Sequence, residues 1–150
     1  MDAVSFPQEE VKKFIVSNLI PLRVPYDAKP LSDDFNVQWT PTLLILDAEG
    51  REHQRTVGFI GPEDLVPSLL LGIGKVAFDR GEFPEALSLF EEIEARFPGR
   101  DVLPEAMFLQ GVCRYKITKD PGRLKDAYER LVRTYPSSEW TGRASPYRLL

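Results

Sequence analysis

The spacing of apolar residues changes along this chain, and each change marks an element. Val11, Phe14, Ile15 and Leu19 recur at helical intervals, with Lys12 and Lys13 pointing the other way, so an amphipathic helix is expected here. Ser5 is a suitable N-cap for it. Alternatively Pro7 takes the first helical position, with Glu9 and Glu10 in the favourable first turn. Residues 20–26 then alternate: Ile20, Leu22, Val24 and Tyr26 are separated by Pro21, Arg23 and Pro25. A period of two reads as a strand, and two prolines place it at an edge. Residues 27–34 read as a turn and a short helix. Thr42, Leu43, Leu44, Ile45 and Leu46 form an unbroken apolar run, the pattern of a strand buried on both faces. Asp47, Ala48, Glu49 and Gly50 are turn residues, with Gly50 free to take a positive φ. Residues 51–59 begin charged and end in Val57 and Phe59. That suits an edge strand whose charges discourage sheet-to-sheet aggregation.

Beyond residue 60 the period is helical throughout. Pro62 opens a helix whose packing face is Leu65, Val66, Leu69, Leu70 and Ile73, and Pro67 is expected to kink or restart it. A set of small and aromatic residues then appears twice. Gly74, Phe78, Gly81, Ala86, Phe90 and Phe97-Pro98 are followed by Gly111, Tyr115, Pro121, Leu124, Tyr128 and Tyr135-Pro136, at offsets of 37 to 38 residues for most pairs. Small residues let helices approach and aromatics fill the space between them. This spacing resembles the tetratricopeptide repeat, whose period is about 34. The second copy is the looser. The extra residues are expected mostly at Gly99, Arg100 and Asp101. Ser138 reads as the cap of a last helix covering the open end of the repeats. Residues 146–150 read as a tail, ordered if Tyr147 or the closing leucines dock.

A second resemblance rests on Trp39-Thr40-Pro41-Thr42, the apolar strand after it, the turn, and the charged strand ending in Val57-Gly58-Phe59. Together these resemble the second half of a thioredoxin fold, over roughly residues 11–70. Without that context a trans Pro41 is expected. The resemblance implies a cis Thr40–Pro41 bond and a backbone at Thr40 that can receive an extended peptide. Trp39 either lines that groove or packs under the first helix. The chemistry of such a fold needs a Cys-x-x-Cys at a helix N-terminus. This chain has one cysteine, Cys113. The central strand of the fold is also missing, which would leave two inner strands unpaired at about 1–3 kcal/mol per buried group. Three resolutions are expected: the two strands pair directly, a second copy fills the gap, or the natural chain begins upstream of Met1 and carries the Cys-x-x-Cys.

Composition narrows the function classes. The chain has 150 residues, enough for one domain or two small ones. A net charge of −4 argues against a general nucleic-acid surface. No segment has the apolar length of a membrane span, and nothing at the start reads as a secretory signal. Cytoplasmic localisation is the default expectation. Cys113, on a repeat helix, reads as a small buried apolar residue. His53 reads as a solvated histidine beside a turn, and Glu91, Glu92 and Glu94 as the wet face of a helix. No catalytic residue, metal set or cofactor loop is expected.

The expected architecture is therefore α/β plus α. A partial thioredoxin-like α-β-α-β-β-α unit, residues 1–68, precedes two tetratricopeptide-like helical hairpins, residues 69–150. The expected function is that of a non-catalytic protein-binding module, which takes a protein or peptide partner on the helical repeats, with Trp39, Thr40 and Pro41 as a second contact. Two alternatives stand beside it. One is thiol–disulfide exchange, if the natural chain begins upstream. The other is a homodimer that completes the sheet.

Overall fold

In the computed structural model, which describes residues 1–150, the first helix begins later than the cap pattern implies. Helix α1 spans Glu9–Asn18, with Gln8 at its N-cap. Neither Ser5 nor Pro7 opens it. Ser5 is fully buried, and its hydroxyl donates to the Ile60 carbonyl at 2.6 Å. The chain winds through turns before it becomes helical at Glu9. Val11 is the buried point of α1, at 1 % exposure.

Residues 20–26 do not form the expected strand. They have no regular structure and no strand neighbour. The physical reason lies in the two prolines and in the sheet. Pro21 and Pro25 leave this segment a full set of donors along one edge alone, and the only sheet has two strands, neither of them in this segment. The direct pairing of this segment with the apolar strand therefore does not occur. The first unit reads α-α-β-β, followed by the start of a third helix, in place of α-β-α-β-β-α.

Helix α2 is the short turn Leu31–Asp34. Strand β1, Thr42–Leu46, pairs antiparallel with β2, Glu52–Val57, with Thr42 opposite Val57 and Leu44 opposite Arg55. A bulge follows Ile45. The turn is built by Asp47. Its Oδ1 accepts from the Glu49 and Arg51 N–H groups at 3.0 and 2.9 Å, and Gly50 takes φ +78°, a conformation that favours glycine. The expectation that β1 is buried on both faces needs revision. Only Ile45 is buried and Leu46 is exposed.

Helix α3 spans Pro62–Asp79 without interruption. Pro67 does not restart it. Proline here removes one i→i−4 bond, to the Glu63 carbonyl in the first turn, and its ring is fully buried. The chain divides at this proline into two compact units, Met1–Val66 and Pro67–Leu150.

The second unit is helical. Helices α4 (Phe83–Arg96), α5 (Leu103–Thr118) and α6 (Gly122–Thr134) follow, with α5 packed between α4 and α6. Two glycines set the helix spacing. A Cβ on Gly74 would stand 2.5 Å from Phe90 Cε1, and one on Gly111 would stand 2.3 Å from Ala127 Cβ. No alanine fits at either place without movement. Helix α7, Glu139–Ala144, is capped by Ser138, whose Oγ accepts from the Trp140 N–H at 3.2 Å. The final turn, Ser145–Leu149, docks through Tyr147, which stacks on Phe108 at 5.9 Å. Met107, Leu131 and Ala144 form the core beneath it.

Candidate binding groove

Helix α6 carries the site because its two faces differ sharply. Leu124, Ala127 and Leu131 are buried, and the spacing i, i+3, i+7 puts them on one side. Arg123, Asp126, Arg130 and Arg133 repeat the same spacing on the flanking face, about 100° round the helix. Helix α5 has no such polarity, for it is buried over Met107, Leu109, Gln110, Gly111 and Cys113. Where α5 turns outward, Arg114 emerges. The close approach at Gly111 and Ala127 brings that arginine onto the charged side of α6. The result is an open groove of about 350 Å³, lined by Arg114, Arg123, Asp126, Glu129, Arg130 and Arg133.

Beneath the groove lies a buried polar joint. Gln110 has no exposure. Its Nε2 donates to the Phe90 carbonyl at 3.1 Å and to Glu94 Oε2 at 3.0 Å. Its Oε1 accepts from Arg130 at 3.3 Å, and Arg130 also donates to Glu94 Oε1 at 2.7 Å. Three helices thus meet at one amide. Burial pushes the Glu94 carboxyl up, but the Gln110 and Arg130 hydrogen bonds and the Arg130 and Arg114 charges outweigh it, and the group lies below its ordinary value. Glu94 is therefore not the simple wet-face residue its helical position implies.

The guanidinium groups of the groove differ in what they already hold. Arg114 donates to Glu91 at 2.8 Å. Arg123 stands 3.3 Å from Asp120 and 3.5 Å from Asp126. Arg130 is taken by Glu94. Arg133 is exposed and makes no hydrogen bond or ion pair within the chain. Four guanidinium groups face two carboxylates across this lining, and one is uncommitted. Sequence reasoning did not single these residues out. The signal was present in the arginine spacing of α6, but Arg114 and Gln110 are added only by helix packing.

The residues that the sequence did single out lie in the first unit. Trp39 is 69 % exposed, and Thr40 and Pro41 are exposed with it. Of the two placements open to Trp39, the structure has the exposed one. The Thr40–Pro41 bond is cis. The loop is held by its backbone: Trp39 O accepts from the Thr42 hydroxyl at 2.6 Å, Pro41 O from the Gly58 N–H at 2.8 Å, and Phe35 O from Arg55 at 2.6 Å.

Cys113 is fully buried, and burial pushes its thiol up to about 12. It is a packing residue. His53 is not solvated as expected. Its side chain is 6 % exposed and its Nε2 lies 3.0 Å from Asp47 Oδ2. That bond, with those from Arg51, holds the Asp47 carboxyl well below the usual range. The bulge after Ile45 accompanies this inward turn of a charged-strand residue. No group of His, Cys, Asp and Glu side chains is arranged to hold a metal ion, and no helix is long and apolar enough to cross a membrane.

Comparison with known proteins finds one family. A model described as the tetratricopeptide repeat matches residues 105–138, the stretch that contains most of α5 and all of α6. The match falls on the copy whose spacing is the looser. No curated protein and no solved structure matches the chain. The thioredoxin-like resemblance of the first unit rests on sequence pattern alone.

Proposed function

We propose that this chain is a non-catalytic protein-binding module whose helical unit holds an acidic stretch of a partner in the α5–α6 groove. A tetratricopeptide match at residues 105–138 favours protein binding in general. The observation that supports the finer reading is the groove itself: four arginines, one of them uncommitted, on a packed helical scaffold. Guanidinium groups bind carboxylates in a fixed fork, with more geometric selectivity than lysine offers. Of the partners they now hold, Glu91, Asp120 and Asp126 are exposed and can give way to a ligand, while Glu94 keeps Arg130 in place. The loop of Trp39, Thr40 and Pro41 is a second contact in this reading. An exposed Trp is a strong anchor for an extended peptide.

The test is fluorescence anisotropy with two labelled probes, an oligoglutamate and an oligolysine of equal length. The oligoglutamate is expected to bind the more tightly. Arg133→Glu should weaken it by about tenfold or more, because the variant replaces an attraction by a repulsion at one contact. Equal binding of the two probes, or an unchanged affinity in Arg133→Glu, would overturn the acidic-partner reading. Separately, Trp39→Ala should leave the unfolding free energy within about 0.5 kcal/mol of the parent, as for other surface changes, while weakening capture of an extended peptide by the loop.

A further inference from the structure

We propose that two copies of this chain complete each other's sheet, residues 20–26 of each lying along the outer edge of β1 in the other. Two backbone hydrogen bonds fix which side of β1 is in use. Gly58 N–H donates to Pro41 O, and Asp47 N–H donates to Arg51 O. Odd-numbered residues at both ends of β1 therefore face β2. Backbone groups alternate sides along a strand, so Thr42, Leu44 and Leu46 turn theirs outward. No backbone partner meets them there. An uncharged edge strand with free N–H and C=O groups is a template for a further strand.

Residues 20–26 are the matching half. Pro21, Arg23 and Pro25 share one edge of this segment when it is extended, and Ile20, Leu22, Val24 and Tyr26 share the other. Both prolines thus fall on the same side. One edge is disabled and the other has every donor intact. Within the segment only Pro25 O has a backbone partner, the Ala28 N–H at 3.0 Å, and Pro25 belongs to the disabled edge. The segment is built to take a neighbour on one side alone. It is also restricted in advance: the prolines fix their own φ, and Ile20 and Val24 precede proline and are pushed to extended conformations. Little entropy remains to be lost on pairing. Ile20, Leu22 and Tyr26 are 99 %, 80 % and 72 % exposed, so an apolar stripe leaves water when the strand is added.

A second copy is the occupant because each chain carries both halves. A two-fold arrangement uses the β1 edge and the one-sided segment of both molecules together, whereas a foreign peptide on β1 would leave residues 20–26 open. Charge permits it. Strand β1 has no charged residue, and the segment has only Arg23, already paired with Asp2 at 2.7 Å. No like charges meet.

The parity of the segment supplies the experiment. Sedimentation equilibrium of the full chain over two decades of concentration should show the mass rise from that of the monomer towards twice that value. Leu22→Pro removes a donor from the intact edge and should raise the dimer dissociation constant by at least about tenfold, since the two-fold loses two bonds at once. Arg23→Pro removes a donor from the disabled edge and should leave it unchanged. Both changes fall in a segment without regular structure, and circular dichroism verifies that each variant folds. A wild-type chain that stays monomeric throughout would overturn the proposal. So would equal weakening by the two prolines, or a monomer that pairs its β1 edge only with an added peptide.

Discussion

Single side chains in this protein matter according to what they hold, not what they are. Gln110 is an ordinary amide on a helix, yet with Glu94 and Arg130 it ties α4, α5 and α6 together. Gln110→Leu keeps the volume and leaves the Phe90 carbonyl without its buried donor. We expect a loss of about 1–3 kcal/mol in urea unfolding, against a much smaller effect of Arg114→Leu, whose partner Glu91 is exposed. Asp47 acts likewise on the hairpin. Its carboxyl is depressed by His53 first and by Arg51 after it. A depressed acid contributes stability above its unfolded pKa of about 4, and that contribution is lost as pH falls. Thermal unfolding of the parent should therefore worsen more steeply below pH 5 than that of Asp47→Asn. Parallel curves for the two would show that the turn does not depend on this charge.

At the scale of elements, glycine position separates packing from propensity. Gly111 sits where a Cβ would stand 2.3 Å from Ala127, so Gly111→Ala should destabilise the chain by about 1–3 kcal/mol through overpacking. Gly142, in the middle of α7, has nothing within 4 Å of a built Cβ. There the same substitution should stabilise by about 0.5–1 kcal/mol, the ordinary helix preference for alanine. Opposite signs for one chemical change, read from two melting curves, would establish that the α5–α6 spacing is set by the missing side chain. That spacing also carries Arg114 to the groove. A Gly111→Ala chain that folds should therefore bind the oligoglutamate probe less well than Gly142→Ala.

For the molecule as a whole, the two units differ in construction. The helical unit buries Phe90 and Ile93 on α4, packs Met107, Leu131 and Ala144 into one cluster, and caps α7 with Ser138. The first unit has a two-stranded sheet with an open edge, and two strands alone are marginal in water. Hydrogen exchange should report this difference. The amides of Thr42, Leu44 and Leu46 are expected to exchange fast in dilute protein and to slow as its concentration rises. The α5 amides should not respond. If exchange at β1 is independent of concentration, the sheet is not completed by a second copy.

Much of this was legible in the chain itself. Apolar periodicity and turn residues place most helices and the hairpin, and the Ser138 cap is legible too, because each depends on neighbours a few residues away. The small residues at Gly74 and Gly111 likewise announce close helix packing. The strand reading of residues 20–26 failed because alternation describes a strand's faces, while its existence requires a partner edge, and none lies beside it here. His53 was misread because a β-bulge reorients side chains that strict alternation would send to solvent. The groove was out of reach for a further reason. Its lining comes from two helices, and only their packing decides which of the many arginines share a surface and which one of them is left without a carboxylate.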